Sequence, residues 1–404
     1  MGSMRTKSLA ATVMVALTAL VASCATEPPP FPTPHTGGVN PDSVARANDA
    51  AYVDPGPYAA AVTTVEIEPG RKMEIWYPAA PASAAGHTPD TYHLRDFLPA
   101  LITDVLPASV DPSFTTTAFR DLPASPGGPF PMVLFSHGAI SYRDQSSFLT
   151  AHLASWGFVV ISPDYFERGI QTLSGLATVP VPSRSSADVT QLAVDEAIAL
   201  NTGTGTLAGK IDTTRLFPIG HSAGGSQSTQ LAGSRTDVQS WIAMSSGVNL
   251  TPSLFNPTPT VPVALADPNK TVMWLVGAND NVASPGGVQT AFNYSAGERK
   301  LVVVPLSGHN NAMTDICEIS RPEGGLVGLA NTYLPFTLPE FVTNLANDGC
   351  ISPPNYQGPQ VWPIVRQFVT AELRYRSGLD SSPVGLGSGV VNQFAVVPTY
   401  SHNE

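Results

Sequence analysis

At 404 residues, with 43% hydrophobic and only 13% charged residues, the chain holds enough apolar material for one large domain. A formal net charge of −11 argues against nucleic acid as a partner, because phosphate backbones are bound by clustered Lys and Arg. The 39 prolines mark many fixed loops, and no internal repeat is visible.

The first residues read as an export signal. Arg5 and Lys7 precede an apolar run from Leu9 to Val21, which is too short for a comfortable membrane span. Val21-Ala22-Ser23-Cys24 resembles a bacterial lipobox, which implies cleavage before Cys24 and lipid on its thiol. A plain secretory signal with an incidental cysteine is the other reading. Residues 1–23 are therefore expected as a signal peptide and 24–60, rich in Pro, Thr, Gly and Asn, as a tether. The main domain is expected over 61–378 with an insertion at about 310–360, followed by a tail over 379–404. Membrane contact is expected through the N-terminal lipid alone.

Two alternating runs, Val62–Ile67 and Met73–Tyr77, flank Glu68-Pro69-Gly70-Arg71-Lys72 and predict a hairpin. Residues 78–129 are turn-rich, with a short helical piece around Leu98 to Leu106, and read as a surface excursion bordering a substrate rim. Pro131–Phe135 is a continuous apolar run, as a strand buried on both faces requires. A helix from Phe148 to Trp156 and a strand Phe158–Ile161 follow, which together make a parallel crossover unit. Residues 168–186 read as a loop, and Val189 to Leu200 as a helix with one apolar face. Further strands are expected at Arg215–Ile219, Trp241–Met244, Val272–Val276 and Leu301–Val304, with a helix at Val288–Tyr294 and a last one at Val361–Arg376. The alternation predicts an α/β fold: one open, mostly parallel sheet with helices on both faces.

Gly220-His221-Ser222-Ala223-Gly224 fits G-x-S-x-G between a strand and a helix. That is the setting of a nucleophile elbow, where the turn lifts the serine hydroxyl off the sheet edge. A serine hydroxyl needs a base to take its proton, and the base needs a carboxylate to fix its tautomer. In sheets of this kind the partners sit just beyond strand carboxyl ends. Asp280 follows Val272–Val276 and His309 follows Leu301–Val304, in the chain order serine, acid, histidine. Asp164, Asp267 and Asp315 are rival acids, and His402 in the tail is a rival base. His221 is placed to pack within the elbow, His137 to pack beside the site, and His87 and His93 to be solvated in a loop. The backbone N–H groups of Ala223 and Ala139 are the expected donors to a tetrahedral oxyanion. Cys317 and Cys350 are an even pair in an exported chain, which favours a disulfide over two free thiols. Neither has the neighbours of a metal site.

Phe135-Ser136-His137-Gly138, the stretch Leu153 to Val160, and Ile211 to Gly225 resemble the α/β-hydrolase superfamily over about Val62 to Arg376. Within it they are similar to platelet-activating-factor acetylhydrolase-like esterases and their bacterial polyester-hydrolase and dienelactone-hydrolase-like relatives. The resemblance implies an α/β-hydrolase fold. It also implies hydrolysis of a small-molecule or polymeric carboxylic ester through an acyl-enzyme on Ser222, with no metal or organic cofactor. The stretch from Asn310 to Gln360, which holds both cysteines, is longer than that pattern expects. A serine peptidase or acyltransferase would use the same groups, and a catalytically inactive, envelope-attached binding protein is the non-enzyme alternative.

Overall fold

The computed structural model describes residues 46–172, 178, 181–248 and 260–403. The export signal, Cys24 and most of the expected tether lie outside the described residues. Among the described residues, ten strands form one sheet, in the order β12 (Thr399–Asn403), β11 (Arg299–Val304), β10 (Thr271–Gly277), β9 (Ser240–Met244), β8 (Ile211–His221), β6 (Phe130–Ser136), β7 (Val159–Pro163), β2 (Arg71–Ala79), β1 (Ala59–Glu68) and β5 (Ala118–Arg120). Its centre is the block of apolar runs β6 (Phe130–Ser136), β7 (Val159–Pro163), β8 (Ile211–His221), β9 (Ser240–Met244), β10 (Thr271–Gly277) and β11 (Arg299–Val304). Neighbours within this block pair in parallel. The expected hairpin is β1 (Ala59–Glu68) with β2 (Arg71–Ala79), joined antiparallel to β7. Short β5 (Ala118–Arg120) completes that edge, while β3 (Thr91–His93) and β4 (Ser113–Thr115) pair separately within the excursion.

Side chains of a strand alternate between faces, so a buried strand must feed two apolar layers. In β6, Val133 and Phe135 enter one layer, and Met132 and Leu134 the other. The first layer is closed by the helix Ser147–Ser155 and the last helix, Gly358–Ser377. Phe148 and Trp362 stack there with ring centres 4.6 Å apart. The second layer is closed by the helices Ser186–Thr202, Ala223–Ser234 and Pro285–Tyr294. Ser185 starts the first of these with a reciprocal cap, its Oγ accepting from Asp188 N–H and its own N–H donating to the Asp188 carboxylate.

The described end of the expected tether, from residue 46 onward, and the expected tail are packed on the body. Ala47 and Tyr52 are buried, and Tyr52 N–H donates to Gln367 Oε1 at 2.8 Å. Beyond the last helix, Val384, Leu386, Val390 and Phe394 enter the first apolar layer. Thr399–Asn403 then forms β12, antiparallel to β11 at the sheet edge. The stretch after His309 contains two helices, Gly325–Tyr333 and Glu340–Asn347, which form a cap beside the sheet's carboxyl end. Cys317 and Cys350, at the two ends of this cap, form a disulfide with Cα atoms 4.8 Å apart. Among the described residues, no helix is long and apolar enough to cross a membrane.

Candidate active site

Ser222 stands at the carboxyl end of β8, in the middle of the parallel block, with φ 57° and ψ −122°. A non-glycine residue is strained at positive φ and persists there only when its surroundings enforce it. The enforcement is visible: Ser222 N–H donates to Met244 O at 2.8 Å, and Ser222 O accepts from Gly225 N–H at 2.9 Å. The flanking glycines are steric requirements. A Cβ on Gly224 would lie 1.8 Å from Ser136 O, and one on Gly220 would lie 2.3 Å from Gly224 C.

His309 and Asp280 sit on the loops after β11 and β10. His309 Nδ1 is 3.0 and 3.1 Å from the two Asp280 carboxylate oxygens. Asp280 Oδ1 also accepts from Val282 N–H at 2.9 Å and Ala283 N–H at 2.7 Å, which fixes the carboxylate. Both side chains are buried. His309 Nε2 is buried too and has no hydrogen-bond partner. His309 and Ser222 line the same cavity. An imidazole held at Nδ1 by a carboxylate, with Nε2 unengaged and a serine lining the same cavity, has the groups needed to take a proton from that serine and return it to a leaving group.

Ala223 opens the elbow helix, so its N–H is one of the N-terminal donors that a helix leaves without an internal acceptor. Ala139 lies on the facing turn and lines the same cavity. That turn is held by Gly138 N–H donating to Gln145 Oε1 at 3.0 Å. Gln145 Nε2 in turn approaches His221 Nδ1 at 3.1 Å, while His221 Nε2 lies 2.9 Å from His309 O. The rings of His221 and His309 are 4.6 Å apart. Burial, followed by the neighbouring His309, holds His221 well below the usual imidazole range, so it stays neutral and packs. Burial likewise lowers His137 to about 3, and its Nε2 accepts from Tyr165 N–H at 3.0 Å.

The rival groups are occupied elsewhere. Asp164 is buried against Arg143, at 2.9 Å. Asp315 accepts from Ser147 N–H at 2.7 Å and Phe148 N–H at 3.2 Å, serving the start of that helix. Asp267 accepts from Asn269 N–H at 2.9 Å in a turn. His402, on β12, pairs with Glu298, His93 pairs with Asp111, and His87 is exposed.

One positioning residue had no sequence signal. Asp348 comes from the end of the cap, yet its carboxylate accepts from His309 N–H at 2.7 Å and from Asn281 N–H at 3.1 Å. The cavity itself is about 140 Å³, bordered by Leu94, Leu98 and Ile102 of the excursion on one side and by the cap on the other.

Residues 116–265 match the family model described as PETase: PET hydrolase-like. The chain carries an α/β-hydrolase fold with a PET hydrolase-like segment. That segment holds β5 to β9, Ala139, Ser222 and Ala223, and it ends before Asp280, His309 and the cap. The match supports ester-bond hydrolysis as the class of activity. No curated protein matches the chain.

Proposed function

We propose that the protein is a serine carboxylic-ester hydrolase working through an acyl-enzyme on Ser222. His309 Nε2 takes the Ser222 proton as Oγ attacks the ester carbonyl carbon. The resulting oxyanion accepts from the N–H groups of Ala139 and Ala223. The His309 imidazolium, stabilised by Asp280, then protonates the departing alkoxide and leaves the acyl group on Ser222. A water activated by the same imidazole repeats the sequence and releases the acid. The observation that carries this reading is the Asp280–His309 pair, at 3.0 Å, with an unengaged Nε2 in the cavity that Ser222 lines. Its substrate is an ester with a hydrophobic acyl, aryl, lipid or polyester part; the PET hydrolase-like match supports ester hydrolysis and, within that range, the polyester end. A peptide is a poorer fit, because an apolar cavity offers few partners for its amides. The test is labelling by a serine-reactive phosphonate alongside an ester panel. Labelling of Ser222 alone with ester turnover is expected. Labelling at another serine defeats the assignment of Ser222, and no ester turnover favours an inactive binding protein.

We further infer that the chain is exported, with cleavage before Cys24 and lipid on the Cys24 thiol. The supporting observation is the charged start, apolar run and small residues ahead of Cys24. More than one acyl chain is expected, since a single one gives marginal membrane binding. Cys24→Ser should release the protein or leave the precursor uncut. A wild-type protein already soluble outside the cell and cleaved elsewhere would overturn the inference.

A further inference from the structure

The cavity over Ser222 has walls of unusual uniformity. Every lining residue supplied by the cap is aliphatic, among them Leu326, Leu329, Ala330, Val342 and Leu345. No charged side chain lines the cavity among the described residues. The polar groups that do line it, Gln145, Ser141 and Asn310 with the catalytic candidates, come from the floor beside Ser222 and the loop after His309. Tyr142 is the one aromatic ring besides the two histidines. It is already engaged, stacked on Phe97 with ring centres 4.7 Å apart and fully packed.

Resting on the esterase reading above, we propose that this cavity is an acyl pocket for a single unbranched aliphatic chain of about six to eight carbons. The volume sets the length. An enclosed apolar cavity of ~150 Å³ holds a six-carbon molecule such as benzene, and this one, open on one side, has about 140 Å³. The lining sets the chemistry. Aliphatic walls reward buried methylene groups and offer an aromatic acid no free ring on which to stack. A polyester strand carries an ester every few atoms on both sides of the scissile bond. Between the excursion and the cap, those further carbonyls would lose water without gaining donors. The cap that distinguishes the two cases lies wholly outside the segment that matches the PET hydrolase-like model. Chain length is therefore selected by residues of 316–346 and 94–106, and bond cleavage by Ser222.

The experiment compares kcat/KM for p-nitrophenyl esters from acetate to dodecanoate, with a PET film and an aromatic ester alongside. Each added methylene should raise kcat/KM about fourfold up to hexanoate, and the gain should stop near octanoate. Ala330→Phe, which fills the cavity from the cap, should lower the hexanoate-to-acetate ratio about tenfold or more. Val342→Trp is a second filler from the other cap helix and should move the same ratio the same way. A profile that peaks at acetate, a preference for the film or the aromatic ester, or an unchanged ratio in both variants would overturn the acyl pocket. If no ester is turned over, the esterase reading falls, and the pocket is then judged by calorimetry. Octanoate binding more tightly than benzoate supports it, and the reverse order overturns it.

Discussion

The Asp348 carboxylate accepts the backbone N–H of His309 at 2.7 Å, from a point 39 residues further along the chain. Its second oxygen accepts Asn281 N–H at 3.1 Å, so one side chain ties the loop of the candidate base to the loop of the candidate acid. The backbone of Asp348 accepts Asn310 N–H as well, at 3.0 Å. The imidazole is thus oriented from two directions, by Asp280 at the ring and by Asp348 at the backbone.

Removing that clamp should misplace the base without emptying the substrate pocket. Asp348→Ala is expected to lower kcat by about 10- to 100-fold, the scale of an ångström-sized misplacement, with a smaller change in KM. Asp348→Asn keeps one acceptor oxygen and should fall between. Steady-state kinetics on a short ester checks this, and a normal kcat in Asp348→Ala would show that the loops hold themselves.

Ser222→Ala and His309→Ala should each remove several orders of magnitude from turnover. The double variant should be little worse, because members of one proton-transfer unit are not additive. Asp280→Asn should also be severe, by permitting the wrong imidazole tautomer. Asp164→Asn, by contrast, removes a partner of buried Arg143 and should lower thermal stability more than kcat. A full catalytic effect at Asp164 with none at Asp280 would reassign the acid.

The sheet and the three candidate residues were readable because their signals are local. Each follows a short apolar strand in the sequence, and parallel topology gathers strand carboxyl ends whatever the loops do. Asp348 was not readable: its partners are backbone N–H groups brought close only by the cap's path. The edge strand Thr399-Tyr-Ser-His-Asn403 carries little apolar alternation, since an edge strand half in solvent needs none. The excursion shows the same limit, for its helical piece shrinks to one turn, Ala100–Thr103, while Leu94, Leu98 and Ile102 are set by packing around the cavity.

The Cys317–Cys350 disulfide closes a sequence separation of 33 residues, containing both cap helices. Closing a loop of that size typically stabilises by about 2–4 kcal/mol, chiefly through the unfolded chain. Cys317→Ser with Cys350→Ser should therefore lower stability to denaturant by about that amount. Turnover of hexanoate should suffer more than turnover of acetate, because the cap walls the cavity. Intact mass with and without reductant establishes the bond first. Two alkylatable thiols in unreduced, unfolded protein would remove the premise.

His152 provides a test of burial by pH. It lies inside the helix Ser147–Ser155, and burial, with nearby Arg366 adding repulsion, lowers it from 6.5 to about 3. Above pH 6.5 the ring is neutral in folded and unfolded chains alike, and its contribution is fully present. As pH falls below 6.5 the unfolded chain takes up a proton that the folded chain refuses until about pH 3. Stability must therefore drop with falling pH across that window, by about 1.4 kcal/mol per pH unit from this group. Other buried groups titrate too, so the contribution is read as a difference. His152→Phe cannot take up the proton, and its unfolding free energy by urea titration should fall less steeply than wild type between pH 6 and pH 4, by about that slope. A constant offset from altered packing leaves the comparison intact. Parallel curves for the two proteins would mean that His152 is protonated in the folded chain and that the helix face around it admits water.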